Sequence, residues 1–259
     1  MNMEPAAQTC VGIPAAAILL EEASHRQPAD VAQGVAILRT AIADAFARMM
    51  RPATGDVLPV TIVVAGPDVQ VMTAPVASLR PVGLYITSDV VAAPIDDLAC
   101  AAQVGATQVT ALTGDAAIMA LQVQKGLGSA VPVRVLAVPG DLPESRLNAI
   151  TDSLVHQVPG HVVVASDLAA TLDETSPGYL VPGADNWDQA IIACLDAPAD
   201  VRERVLAESG PADADHFVAR GWMPLRILSR VAALGDQALA VLAYQSPRGV
   251  GQVVVGPTR

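Results

Sequence analysis

Apolar residues at Val31, Val35, Leu38, Ile42, Phe46 and Met49 recur with the 3.6-residue period of an amphipathic helix, the clearest helical signal in the chain. Asp30, followed three positions later by Gln33, reads as the capping box that starts it, and Arg51-Pro52 as its end. After a turn-rich stretch at 53–59 comes a short β-branched run at 60–65, stopped by Gly66-Pro67, which predicts a buried strand. Similar runs lie at 83–87, 107–112, 133–138, 161–165, 238–244 and 250–255. Leu147, Ile150 and Leu154, after the Asp141/Pro143 start signal, mark a helix between two of these runs.

Strands that are apolar throughout and alternate with helices imply an α/β fold: a mostly parallel central sheet with helices on both faces. Residues 176–230 break the rhythm as a helical excursion, in which Trp187, Ile191 and Cys194 share a face. The last two strands flank Gln245-Ser246-Pro247-Arg248-Gly249, a turn composition that predicts a C-terminal hairpin. With no repeat and no linker, a single three-layer domain over 1–259 is the expectation.

Composition narrows the classes. Hydrophobic residues make up 52% and charged residues 16%, yet no apolar run approaches the roughly 18 residues of a spanning helix, so no membrane role is expected. Residues 11–20 are apolar, but Pro14 interrupts them, Glu21-Glu22 follows and no basic start precedes, which argues against a signal peptide. The net charge of −11, without a basic cluster or aromatic platform, argues against nucleic acid. Cys10, Cys100 and Cys194 are far apart and lack zinc spacing, so they read as buried thiols in a reducing, cytoplasmic setting.

Ligands of open α/β sheets bind beyond the carboxyl ends of the strands. The residues there include Asp68, Asp89, Asp115, Asp141 and Asp167. Such carboxylates could hold a hard cation or act as bases, but Asp also follows strands to cap helices and make turns, the preferred reading for Asp115 and Asp141 above all and for Asp68 and Asp167 as well. His25, His156, His161 and His216 share no motif, and His216 beside Asp213 and Asp215 reads as part of a first helical turn. Gly126-Leu127-Gly128 follows a helix and is too short for a dinucleotide fingerprint, and the chain has no Walker loop or nucleophile elbow.

Four stretches in order resemble the class III extradiol ring-cleavage dioxygenase B-subunit superfamily, which includes LigB-like and Memo-like proteins, and most of all its actinobacterial LigB-like branch. They are residues 162–168 (VVVASDL), 176–180 (SPGYL), 186–190 (NWDQA) and the ending 243–251 (AYQSPRGVG). In the family these correspond to a strand with a Ser-Asp turn, Pro-Gly-Tyr, Phe-Asp-x-Ala and Tyr-x-x-Pro-Tyr-Gly-Val-Gly. Residues 10–20 and 62–68 add weaker similarity. The resemblance implies a non-haem Fe(II) on two His and one Glu, with a further His as acid/base for catechol ring opening. The chain departs from that pattern where the histidines would stand. Gly12 or Ile13 replaces the first, Val69 follows Gly66-Pro67-Asp68, and Ala170 ends Ser166-Asp167-Leu168-Ala169. None of these residues can ligate iron, and the position of the family's Glu is left unassigned.

Two functional classes follow. One is a non-catalytic protein on a metal-free dioxygenase-like scaffold, binding a small molecule or a protein partner, with self-association left open. The other is an enzyme, an oxidoreductase or a hydrolase, using Asp68 and Asp167 as bases or as ligands for Mg²⁺ or Mn²⁺. An obligate subunit beside a catalytic partner is a third arrangement. No cofactor is expected under the first reading. The candidate cleft is Gly12, Ile13, Asp68, Val69, Ser166, Asp167 and Ala170, and the resemblance implies that Ile13, Val69 and Ala170 converge there with the two aspartates.

Overall fold

The computed structural model describes residues 8–20, 27–49, 58–82, 84–101 and 104–258. The apolar runs assemble into one eight-stranded sheet. Its strands, in chain order, are β1 (Cys10–Ile13), β2 (Val60–Ala65), β3 (Gln70–Thr73), β6 (Ala106–Gln108), β7 (Val133–Val138), β8 (His161–Ala165), β9 (Leu239–Gln245) and β10 (Gln252–Pro257), while β4 (Val76–Ser78) and β5 (Thr87–Asp89) pair in a separate two-stranded sheet. Spatial order is β6-β3-β7-β2-β8-β1-β10-β9. The four central strands β7, β2, β8 and β1 run parallel, and β10 and β9 close one edge as an antiparallel hairpin. At the other side β3 turns back antiparallel to β7.

Both faces are covered because alternate strand residues face different layers. Val11, Ile62, Val64, Val135 and Val163 pack with Leu38, Phe46, Met119 and Val123 of helices α1 (Ala29–Met49) and α3 (Gly114–Leu127). Val63, Leu136, Val162 and Val164 point the other way. They meet α2 (Asp96–Ala101), α4 (Glu144–His156) and the run α5 (Ala184–Leu195), α6 (Ala199–Glu208), α7 (Gly210–His216) and α8 (Trp222–Leu234). The helical excursion is thus half of one layer. Gly126 belongs to the helix crossing, since a Cβ there would lie 2.1 Å from the Phe46 ring.

The amino ends of the strands are locked by Arg134, a buried residue of β7. Its guanidinium donates to Thr61 Oγ1 at 2.8 Å and to the carbonyls of Pro94 and Pro159 at 3.0 Å each. Burial pulls this group down to about 10, partly offset by the Asp97 carboxylate.

Several expectations need correction. Asp30 lies inside the first turn of α1, which begins at Ala29, so its carboxylate meets the helix dipole and does not cap. The run at 83–87 forms strand only from Thr87 onward among its described residues, and that at 107–112 ends as a strand at Gln108, with Leu112 making an isolated bridge to Ala77. Cys100 is exposed on α2, whereas Cys10 and Cys194 are buried. His25, Glu21, Glu22 and the helix stop at Arg51-Pro52 lie outside the described residues.

Candidate functional site

The parallel register sets Ile13 beside Ala165, so the chain leaving β1 at Pro14-Ala15 runs next to Ser166-Asp167 leaving β8. Three bonds fix this junction. The Ala15 N–H donates to Asp167 Oδ2 at 2.8 Å, Gln122 Nε2 of α3 donates to the Pro14 carbonyl at 3.0 Å, and the Ser166 hydroxyl donates to the Val253 carbonyl. Asp167 also forms an antiparallel bridge with Gln252, the first residue of β10. Behind it, the Gly221 N–H donates to the Asp167 carbonyl at 2.7 Å. Only glycine allows that approach: a Cβ on Gly221 would sit 2.3 Å from the same oxygen.

Two more charges complete the junction. Asp115, in the first turn of α3, pairs with the Arg220 guanidinium at 3.1 Å. The N-cap of that helix is Thr113, so Asp115 stands inside the first turn, where it pairs with Arg220 and is not itself the cap. Burial pushes the Asp115 carboxyl up against the pull of Arg220. Asp167 is pushed further, to about 7, first by burial and then by the Asp115 charge, with the Ala15 N–H and Arg220 acting in the opposite direction. Near neutral pH this carboxyl can therefore give or take a proton. Two buried amide oxygens close by, Gln122 Oε1 and Gln252 Oε1, have no hydrogen-bond partner among the described residues.

The other candidates disperse. Gly12 faces α8, where a Cβ would meet Leu228 at 3.2 Å and the Ser166 Cβ at 3.4 Å. Ile13 points to the opposite layer and is buried under α1 and α3. Val69 packs into the core of the α2 and α4 layer, on the turn that carries the chain over β7 to β3. Asp68 is exposed on that turn. Ala170 is held by its backbone, its N–H donating to the Phe217 carbonyl at 2.9 Å and its carbonyl accepting from Gly178. Ile13, Val69 and Ala170 do not converge, and Ser166 and Asp167 are the candidates that sit side by side at the carboxyl edge. Among the described residues no group of three or more His, Cys, Asp or Glu could hold a metal ion. The residues at these positions do not fit the ferrous centre that the resemblance implies.

Two stretches of the resemblance instead meet at a structural tie. Asp188 of α5, fully buried, accepts the Ala169 N–H at 2.9 Å and the Tyr244 hydroxyl at 2.7 Å. Burial raises the Asp188 carboxyl to about 6 although both donors favour its charge, and the Tyr244 hydroxyl is raised by burial and by that same carboxylate. The tie fastens the loop after β8 to the edge strand β9.

A cleft of about 470 Å³ opens at the same edge, with Ala16, Ala17 and Gln252 from the strand exits on one side and Thr175, Pro177, Pro247, Arg248 and Val250 on the other. Gln27 and Leu84 complete its lining. The size suits a small organic molecule.

No protein-family model matches the chain, and no curated protein does. Among solved structures it is similar to the uncharacterized protein JW3007 from Escherichia coli K12, with 12% identity over 96% of this chain and 98% of that chain and a TM-score of 0.59. The likeness is one of fold.

Proposed function

We propose that this chain is a non-catalytic, small-molecule-binding protein on a scaffold related to the extradiol dioxygenases, working without the ferrous site. The observation that carries the reading is a ligand-sized cleft at the carboxyl edge whose lining, among the described residues, holds no His, Cys, Asp or Glu. The relation to the dioxygenases is supported by the ordered sequence stretches at 162–168, 176–180, 186–190 and 243–251. A cleft that lacks a reacting metal can still select a ligand by shape and by a few polar groups.

One observation favours an enzyme as a second reading: the Asp167 carboxyl, raised to about 7 beside Asp115 and Arg220, is poised for proton transfer. Metal analysis separates the first reading from metal-dependent chemistry. Protein purified without chelator is expected to carry far less than stoichiometric metal, and its melting temperature to ignore Fe²⁺, Mn²⁺ and Mg²⁺. Stoichiometric, tightly held metal that disappears in Asp68→Ala or Asp167→Asn contradicts it.

A further inference from the structure

The cleft carries a cation held in an unusual way. Arg248 sits in the left-handed region at φ 57° and ψ 36°, a conformation that a residue other than glycine or asparagine adopts at a cost. Its turn is bound on both sides: the Gly249 N–H donates to the Ser246 carbonyl at 3.1 Å, while the Gly249 carbonyl accepts from the Leu172 N–H at 3.2 Å and the Ser176 hydroxyl at 2.9 Å. The backbone therefore holds Arg248 at the mouth.

The guanidinium is exposed and forms no ion pair among the described residues. Asp173, which lines the neighbouring cavity with Arg248, is already engaged through Oδ1 by the Thr175 N–H at 2.7 Å and the Thr175 hydroxyl at 2.8 Å. Gln252, which also lines the cleft, is buried, and its Oε1 has no partner among the described residues, so it offers an acceptor to a donor on a ligand. Ala17, Leu84, Pro177 and Val250 give the lining aliphatic surface, to which Gln27 and Thr175 add polar groups. A positive group, a vacant acceptor and aliphatic surface in one lining describe a ligand that carries an anionic group, an apolar body and a donor.

We propose that this cleft takes a small organic acid, its carboxylate on the Arg248 guanidinium and its aliphatic body against Leu84, Pro177 and Val250. The inference rests on the binding reading and specifies its ligand class. The arginine's charge supplies selectivity, and its left-handed backbone places that charge in the cleft lining.

The test uses the full chain with cyclohexanecarboxylate and the neutral cyclohexanecarboxamide as probes, titrated by ligand-observed NMR. The carboxylate is expected to bind about tenfold or more tightly than the amide. Arg248→Asn, which keeps a residue tolerant of the left-handed conformation, should reduce the carboxylate to the level of the amide without lowering the melting temperature. Arg248→Lys should retain part of the preference. Equal binding of both probes overturns the acid-binding inference and leaves the binding reading standing. A carboxylate preference that survives Arg248→Asn overturns the assignment to Arg248. Binding of neither probe at millimolar concentration overturns the inference and the binding reading together.

Discussion

Replacing Asp167 by Asn tests whether the junction of β1 and β8 holds a carboxyl that resists ionisation. Its ordinary value is 3.8 and in the fold it stands at about 7, so the native state keeps its proton over a range where the unfolded chain has released it. A raised carboxyl gives stability that is fully present below pH about 4, declines as pH rises and is lost above about 7. The difference corresponds to about 4 kcal/mol at most, and water at the partly open rim reduces the expectation to about 2 kcal/mol. Asparagine preserves the acceptor for the Ala15 N–H and cannot ionise. Urea unfolding at intervals from pH 4.5 to 8.5 should therefore show the parent losing about 2 kcal/mol relative to Asp167→Asn across that range, with the variant at least as stable as the parent at pH 8. Asp188, raised to about 6, adds a slope of the same sign to both proteins and cancels in the difference. Parallel pH profiles for the two proteins, or a variant clearly weaker at pH 8, would refute the reasoning.

Two other expectations follow from buried groups. Tyr244→Phe removes one of the two donors to the buried Asp188 carboxylate and should cost about 2 kcal/mol in urea unfolding, more at pH 8 than at pH 5, because the charged form loses its hydroxyl partner. A thiol reagent should label one cysteine of the native protein rapidly and all three after denaturation. Cys100 is exposed, while burial raises the Cys10 and Cys194 thiols to about 12 and about 11.

The parts of the fold visible in the sequence are those whose local pattern and tertiary role agree. Strands β2, β7 and β8 are apolar at consecutive positions because helices cover both faces, so their runs coincide with the elements. Helix α1 shows its buried stripe at Val35, Leu38, Ile42 and Phe46. The short strand β3 was not anticipated, and β5 and β6 were only partly so: the runs at 83–87 and 107–112 overlap Thr87–Asp89 and Ala106–Gln108 but miss their bounds, because these peripheral strands have too few positions, exposed or half-buried, to show a period. Of the site, Asp167 could be anticipated from its place after a strand. Its partners could not, because Arg220 comes from the turn before α8 and Asp115 from the start of α3, elements of opposite layers that meet only at the edge of the sheet. Arg248 lay within a hairpin-turn composition, and nothing local announced a left-handed arginine facing a cleft.

The most direct test of the account is to map ligand binding on the metal-free protein by amide NMR, titrating cyclohexanecarboxylate into chelator-treated, isotope-labelled chain. The account predicts saturable shifts concentrated at Ala16, Ala17, Leu84, Thr175, Arg248, Val250 and Gln252, unchanged by added Fe²⁺. Binding that requires the metal, or shifts centred on the separate groove of Ile37, Thr40, Val241 and Leu242 between α1 and β9, would contradict it.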